Sequence, residues 1–319
     1  MSKYDLPENF SQLVDETYQN ALKSGEVVFQ DSTNEYLEED DVPFVITHAP
    51  GLSKKPTQEK APEQDARPEG FNPFANPEPT MTVISDYANG QFNILLNKYP
   101  IVHNHLLLTT KEFKSQNSPL SPPELIASLK ILESLEKAST KNEKFFGFYN
   151  CGENSGASQP HKHIQFLKFP ENFQPFPNGL VSNEDPFIAT SLKEPLQSKN
   201  VPFAHFVLPL EKDAAKLYDE DYLAMAFSSL LQRTLTILRD SEKPTAYNVV
   251  FTRKWILVAP RSNAYYKDVL GLNSAGFVGL ILAKNEELLE LIKKDGALNV
   301  LKAVGFPNTS DQPTDEYHY

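Results

Sequence analysis

One cysteine, Cys151, stands in 319 residues, and that scarcity excludes an internal disulfide. No apolar run approaches the ~20 residues that a membrane helix needs, so no membrane partner is expected. The opening residues MSKYDLPENFSQ lack an apolar h-region, which argues against secretion. Positive charge is also short, with 30 Lys and Arg against 42 Asp and Glu and a net charge of −12. Nucleic-acid binding rests on basic side chains neutralising phosphates, and no basic run offsets this deficit. A cytoplasmic protein is expected, with the nucleus as the alternative. An anionic ligand would have to be held locally, by backbone amides, a few lysines or a divalent cation.

The remaining composition is that of an ordinary globular protein, long enough for about two domain-sized units. SQLVDETYQNALKSGE reads as an acidic amphipathic helix and VPFVITHA as a strand. Residues 50–79 carry seven prolines and little apolar content, and read as a long irregular loop. MTVIS, a turn at DYANG, and FNILLN follow, and IVHNHLLLTT reads as the next strand. SPPELIASLKILESLEKA is a well-signalled helix: Ser121 can cap, Pro122 suits the first position and Glu124 closes a capping box. FFGFYN is then a strand, CGENSGASQP a loop and HKHIQFLKF a strand. The second half repeats the order with FAHFVLPL, the helix DEDYLAMAFSSLLQRTLTILRD, and the paired strands AYNVVFT and WILVAPR. His105 and His205 stand at corresponding places. The expected architecture is α/β (α+β), an antiparallel sheet flanked by helices and built from two pseudo-equivalent halves. It forms a single unit over 1–319: 1–80 at the N-terminus, 81–169 as the first half, and 170–319 as a degenerate second half and tail.

The chemistry concentrates in QPHKHIQFL. Strand alternation places His161, His163 and Gln165 on one face and Lys162, Ile164 and Phe166 on the other. Two chemistries suit this pattern. One is metal binding, with His103 and His105 joining from another strand, although no carboxylate or thiolate stands at matching spacing. The other is nucleophilic catalysis by a neutral imidazole attacking phosphorus, with the Gln165 amide donating to the phosphoryl oxygen. The bland alternative is a pair of edge-strand histidines with no role. Against it stands the preceding loop ENSGASQP, whose small residues free backbone N–H groups to converge on an anion. Only the first half ends in HKHIQ, so one working site is implied. Phe92, Phe146 and Phe148 could flank an adenine, though core packing is their commoner use.

NSGASQPHKHIQ, preceded by NILLNKYPIVHNHLLLT, resembles the histidine-triad superfamily, in its transferase branch with HxHxQ in place of HxHxH. Together with FAHFVLPL, KWILVAPRS, NSAGFVGLILAK, GFPNT and EYHY, these segments are similar to the fungal-type diadenosine tetraphosphate phosphorylases, or ATP adenylyltransferases. The likeness covers most of the chain beyond residue 80. It implies that His163 takes an adenylyl group from the dinucleotide and releases ATP, and that phosphate then yields ADP. Gln165 would contact the phosphoryl group and His161 would support the geometry. Gly156, Ala157, Ser158 and Gln159 would hold phosphates beside Asn150. Asn97 and Lys98, Lys55 in the proline-rich loop, and Asn273, Ser274, Ala275, Leu280 and Lys284 match the family's other nucleotide contacts. The segment IVHNH departs from the pattern, since relatives carry a proline and an acidic residue there, and the role of His103 is left open. The substrates implied are diadenosine tetraphosphate, ATP, ADP and phosphate. A divalent cation such as magnesium would accompany the polyphosphate, with no resident metal cluster. The internal duplication implies a monomer, because the second half would take a partner's place. A dinucleotide hydrolase and a catalytically inactive nucleotide sensor are the rival readings. The hydrolase branch has a third histidine at the position of Gln165, and a sensor would not need both His163 and Gln165.

Overall fold

Alternating apolar residues in the strands of each half supply two buried faces, and the computed structural model stacks separate layers on them. It describes residues 2–54, 71–188 and 194–312. The strands are β1 (Thr33–Glu39), β2 (Val42–His48), β3 (Thr82–Asp86), β4 (Phe92–Leu96), β5 (Leu106–Thr110), β6 (Phe145–Cys151) and β7 (His163–Lys168). The second half adds β8 (Phe206–Pro209), β9 (Tyr247–Phe251), β10 (Trp255–Pro260), a short ribbon of β11 (Tyr265–Tyr266) and β12 (Leu270–Gly271), and β13 (Leu280–Ala283). Eight of them form one sheet in the order β3-β4-β5-β7-β6-β9-β10-β8, and every neighbouring pair is antiparallel.

From β5 to β8 the order is a palindrome about the β6–β9 seam. Each side has a strand, a helix and a hairpin whose last strand slips in between. The first helix is Pro122–Ala138; its start is fixed as the capping pattern requires, with the Ser121 N–H donating to Glu124 Oε2 at 2.7 Å. The second is Glu220–Asp240, where Asp219 accepts the Tyr222 N–H at 2.8 Å. Both lie on one face, with helix Phe10–Ser24, over Ile94, Leu106, Leu108, Ile164, Phe166, Val249 and Ile256. The other face of β6, β9 and β10 is covered too: Phe148, Val250, Trp255 and Leu257 pack on residues of β2, β13 and helices Glu286–Asp295 and Ala297–Val304. Among the described residues that cover thins over β4, β5 and β7, where Leu95 and Leu107 form a small cluster with Phe74. The site lies on this half-open face.

Two expectations need correction, and one strand, β1, has no counterpart in the sequence reading. The strand read from Ile101 starts only at Leu106, because Asn104 is left-handed (φ 58) and the preceding residues turn. β1 carries no alternating apolar signal, since TNEYLEE is largely exposed and pairs only with β2. The proline-rich stretch is not without a core residue, because Phe74 is buried. Among the described residues no helix is long and apolar enough to cross a membrane.

Candidate active site

β7 keeps the alternation expected of it from His163 onward. Ile164 and Phe166 enter the helix-side core, while His163 and Gln165 face the half-open side opposite Thr109 and Leu107 of β5. His161 lies outside that ladder and holds only an isolated bridge to Ser115. The reason is Gln116, whose side chain stands where the next β6–β7 rung would be. Its Oε1 accepts the His163 N–H at 2.8 Å and its Nε2 donates to Asn150 O at 2.8 Å. Behind this junction Lys162 is buried, donating to Glu124 Oε2 at 2.7 Å and Pro119 O at 2.6 Å. A buried ion pair, with further hydrogen bonds on Lys162 Nζ and Glu124 Oε2, fixes the segment between the two histidines.

His163 is held for one role by its tautomer. Nδ1–H donates to His161 O at 2.9 Å, which leaves the lone pair on Nε2. Nε2 has no hydrogen-bond partner among the described residues. Burial pushes the ring's pKa down to about 4, so it is neutral at pH 7. The Phe74 ring lies 5.3 Å away and supplies part of that burial.

His161 is tied at both nitrogens. Nε2–H donates to Thr110 O at 2.8 Å, and Nδ1 accepts from Asn72 Nδ2 at 2.9 Å. Burial lowers its pKa as well. With both nitrogens engaged, its carbonyl becomes a fixed acceptor for His163. Gln165 Oε1 lies 3.0 Å from His105 Nε2, and Asn97 Nδ2 lies 3.4 Å from the same nitrogen. One nitrogen cannot donate to the first and accept from the second; the shorter contact assigns its proton to Gln165. The Gln165 amide N–H2 is thereby left for another acceptor.

The loop after β6 turns on glycines. Gly156 has φ 81, and a Cβ there would lie 2.2 Å from Leu272 O. Among the described residues, the backbone N–H groups of Gly156, Ala157, Ser158 and Gln159 donate to no protein acceptor. Leu272 leads into the second stretch singled out in the sequence. Asn273 Oδ1 accepts the Ala275 N–H at 3.0 Å, and Ala275 is buried. Ser274 is buried and donates through its N–H (2.9 Å) and Oγ (2.7 Å) to Asn150 Oδ1. Asn248 Nδ2 reaches the same oxygen at 2.9 Å. Three donors on one oxygen fix the Asn150 amide.

Of the remaining candidates, Lys98 is half exposed beside Glu26 at 3.9 Å. Leu280 opens β13 against Val45, and Lys284 is exposed just after that strand. Lys55 lies outside the described residues. His103 stacks on Phe29 at 4.5 Å and against Tyr18, away from the other three histidines of the first half. Phe92, Phe146 and Phe148 are buried in the two large cores. The residues that sequence reading missed are Asn72, Phe74, Gln116 and Asn248, none of which sits in a local pattern.

The description "Ap4A phosphorylase N-terminal domain" matches residues 2–179, and "ATP adenylyltransferase C-terminal domain" matches residues 199–307. Over 329 residues the chain is 40% identical to diadenosine 5',5'''-P1,P4-tetraphosphate phosphorylase 2 of Saccharomyces cerevisiae, covering 98% of this chain and 100% of the relative. Protein APA1 of the same yeast is 37% identical over 327 residues, covering 98% and 99%. Among solved structures, yeast Ap4A phosphorylase Apa2 in complex with Ap4A is similar with a TM-score of 0.84 and 37% identity, covering 96% of this chain and 100% of that one. The same enzyme in complex with AMP gives a TM-score of 0.84 at 37% identity, covering 97% and 100%. A full-length relative at this identity and a family match across the half that bears HKHIQ lead to one assignment: the chain belongs to the Ap4A phosphorylase family.

Proposed function

We propose that the chain cleaves diadenosine tetraphosphate with phosphate to give ATP and ADP, and runs the reverse adenylyl transfer. The observation that carries this is the His163 imidazole: neutral, held through Nδ1–H, with no described partner on Nε2, on the strand that follows a loop whose four N–H groups have no described acceptor. In the first step the Nε2 lone pair forms a bond to the α-phosphorus. The bond from that phosphorus to its bridging oxygen breaks, and ATP leaves with the electron pair. The positive charge left on the ring is stabilised by the Nδ1–H bond to His161 O. In the second step a phosphate oxygen attacks the same phosphorus, the N–P bond breaks and ADP leaves, returning the lone pair to Nε2. The Gln165 amide donates to the phosphoryl oxygen through both steps, its direction set by His105. The four loop N–H groups and the free amide hydrogens of Asn150 would hold the phosphate chain.

A divalent cation would travel with the polyphosphate. The side chains gathered at the site are amides, hydroxyls and imidazoles, which suits a metal carried by substrate oxygens better than a resident cage. We also infer a monomer, because β6 finds its seam partner, β9, within the same chain; light scattering at twice 35.9 kDa would overturn this. A cytoplasmic setting fits a single thiol kept buried and reduced.

The test uses dinucleotide labelled at the α-phosphate. Without phosphate, label should stay on the denatured chain in an acid-labile, base-stable bond that maps to His163, and added phosphate should discharge it as ADP. Label on His161, or AMP formed at the same rate without phosphate, would overturn the assignment.

A further inference from the structure

The acidic composition leaves open what attracts a polyphosphate, and Lys98, half exposed, stands beside Glu26. A different cation stands behind the loop. Arg261 follows β10 and exposes none of its surface. Its Nε donates to Val304 O at 3.2 Å and its Nη2 to Asn263 O at 2.6 Å. Nη1 donates to Ser155 O at 3.1 Å, Leu272 O at 3.1 Å and Asn248 Oδ1. Every acceptor is neutral, and among the described residues Arg261 forms no ion pair with an Asp or Glu. Burial lowers its pKa to about 9, which still leaves it charged at pH 7. Buried charges are normally paired, so a buried cation without a counter-ion is an arrangement that an incoming anion relieves.

The route from Arg261 to the ligand is one peptide group long. Ser155 O belongs to the peptide that carries the Gly156 N–H, and in a trans peptide the two point in opposite directions. Arg261 Nη1 and Asn248 Nδ2, at 3.1 and 2.9 Å, both donate to that oxygen. They polarise the peptide so that its N–H, the first of the loop's four, becomes a stronger donor. Leu272 O, the surface on which Gly156 packs, is held by the same guanidinium.

We propose that Arg261 is a positioning residue whose uncompensated charge, delivered through the Ser155–Gly156 peptide, makes the Gly156–Gln159 loop favour ligands with more phosphates. The proposal rests on the loop being the phosphate cradle. It makes Arg261 a determinant of polyphosphate selectivity that never touches substrate.

The test measures calorimetric affinities for adenosine, AMP, ADP and ATP in a His163→Ala background, which prevents turnover. In that parent, affinity should rise with phosphate number. Adding Arg261→Gln should leave adenosine within about twofold and weaken ATP about tenfold or more, because a charge–charge contribution grows with ligand charge. Arg261→Lys, which keeps the charge with fewer donors, should retain the graded preference. If the glutamine variant does not fold, Asn248→Asp supplies a carboxylate to Nη1 with the guanidinium in place, and it should flatten the same gradient. Equal weakening of all four ligands, an undiminished ATP preference, or a lysine variant that behaves like glutamine would overturn the proposal. A parent that binds ATP no better than adenosine overturns the cradle along with it. Phosphate-dependent ADP formation by the unsubstituted chain reports on the catalytic reading separately.

Discussion

His163 and His205 are held in the same way up to their second nitrogen. Each donates Nδ1–H to the carbonyl two residues earlier, His161 O at 2.9 Å and Phe203 O at 2.8 Å. Burial pushes each pKa down to about 4. The difference lies at Nε2. In His205 it accepts the Ser198 N–H at 2.8 Å, and in His163 no described residue reaches it. Burial and a lowered pKa therefore do not by themselves mark a nucleophile. What sets His163 apart is an Nε2 lone pair that no described residue engages.

The largest effect should separate the two residues by kind of damage. His163→Ala should lower turnover by ~10³-fold or more, since no one-step route preserves the two-step chemistry, while the substrate still binds. His205→Ala should leave turnover within a few-fold of the parent. It should cost about 1–3 kcal/mol of stability, because the Ser198 N–H loses its acceptor and the buried ring leaves a hole. Single-turnover rates and thermal melts on both variants decide this. A catalytic collapse in His205→Ala would break the comparison.

Acid should then treat the pair alike. Both folded pKa values, about 4, lie below the ~6.5 of an unfolded histidine. Between those values the unfolded chain binds protons that the folded chain refuses. Stability is therefore full above pH ~6.5, falls as pH drops towards 4 and levels off below that, at up to ~3 kcal/mol for each ring. Removing either histidine should shallow the acid slope by a similar amount. The adenylylation step should stay open below pH 6, because Nε2 is still unprotonated there. A rate that halves near pH 6.5 would show that His163 is not buried as described.

The glycine loop extends the contrast from side chains to backbone. A Cβ at Gly156 would meet Leu272 O at 2.2 Å with φ at 81, whereas one at Gly179 would meet nothing within 4 Å. Gly156→Ala should weaken ATP binding by ~10- to 100-fold, from about 1–2 kcal/mol of left-handed strain plus the displaced carbonyl. Gly179→Ala should be silent. Equal affinities for the two variants would remove the loop from the site.

How much of this was legible follows from the reach of each interaction. The helix at Pro122–Ala138 announced itself because its cap and its apolar residues are local, and HKHIQ did so because alternation in a strand is local. Gln116 is 47 positions from the His163 N–H that it braces, and Arg261 is 106 from the Ser155 carbonyl that it holds. Nothing around KSQNSPL or VAPRS sets either residue apart in the sequence itself. Phe74 was hidden for another reason: it sits in a proline-rich stretch whose composition argues against core, yet it closes over His163. His161 was placed on the correct side of the motif but one rung beyond the ladder, since the interruption comes from Gln116 and not from the strand's own residues. Asn150 and Ser274 come from family likeness alone, and the bonds from Ser274 to the Asn150 oxygen tie the two segments together.

The smallest effect should come from the residue that separates this motif from a run of three histidines. Gln165→His would place an imidazole opposite His105, which now donates to the Gln165 oxygen at 3.0 Å. Two rings at that contact would have to share one proton, and the phosphoryl group would lose an amide donor of fixed direction. A neutral amide cannot shuttle protons, whereas an imidazole there can take one from water or hand one to a leaving group. Phosphorolysis should fall about tenfold, and the share of AMP among the products should rise as water competes with phosphate for the adenylyl-histidine. Product analysis across a phosphate titration measures both. A fall in rate at an unchanged ADP-to-AMP ratio would mean that Gln165 only positions the phosphoryl group, and that its lack of a titratable proton has no part in choosing phosphate over water.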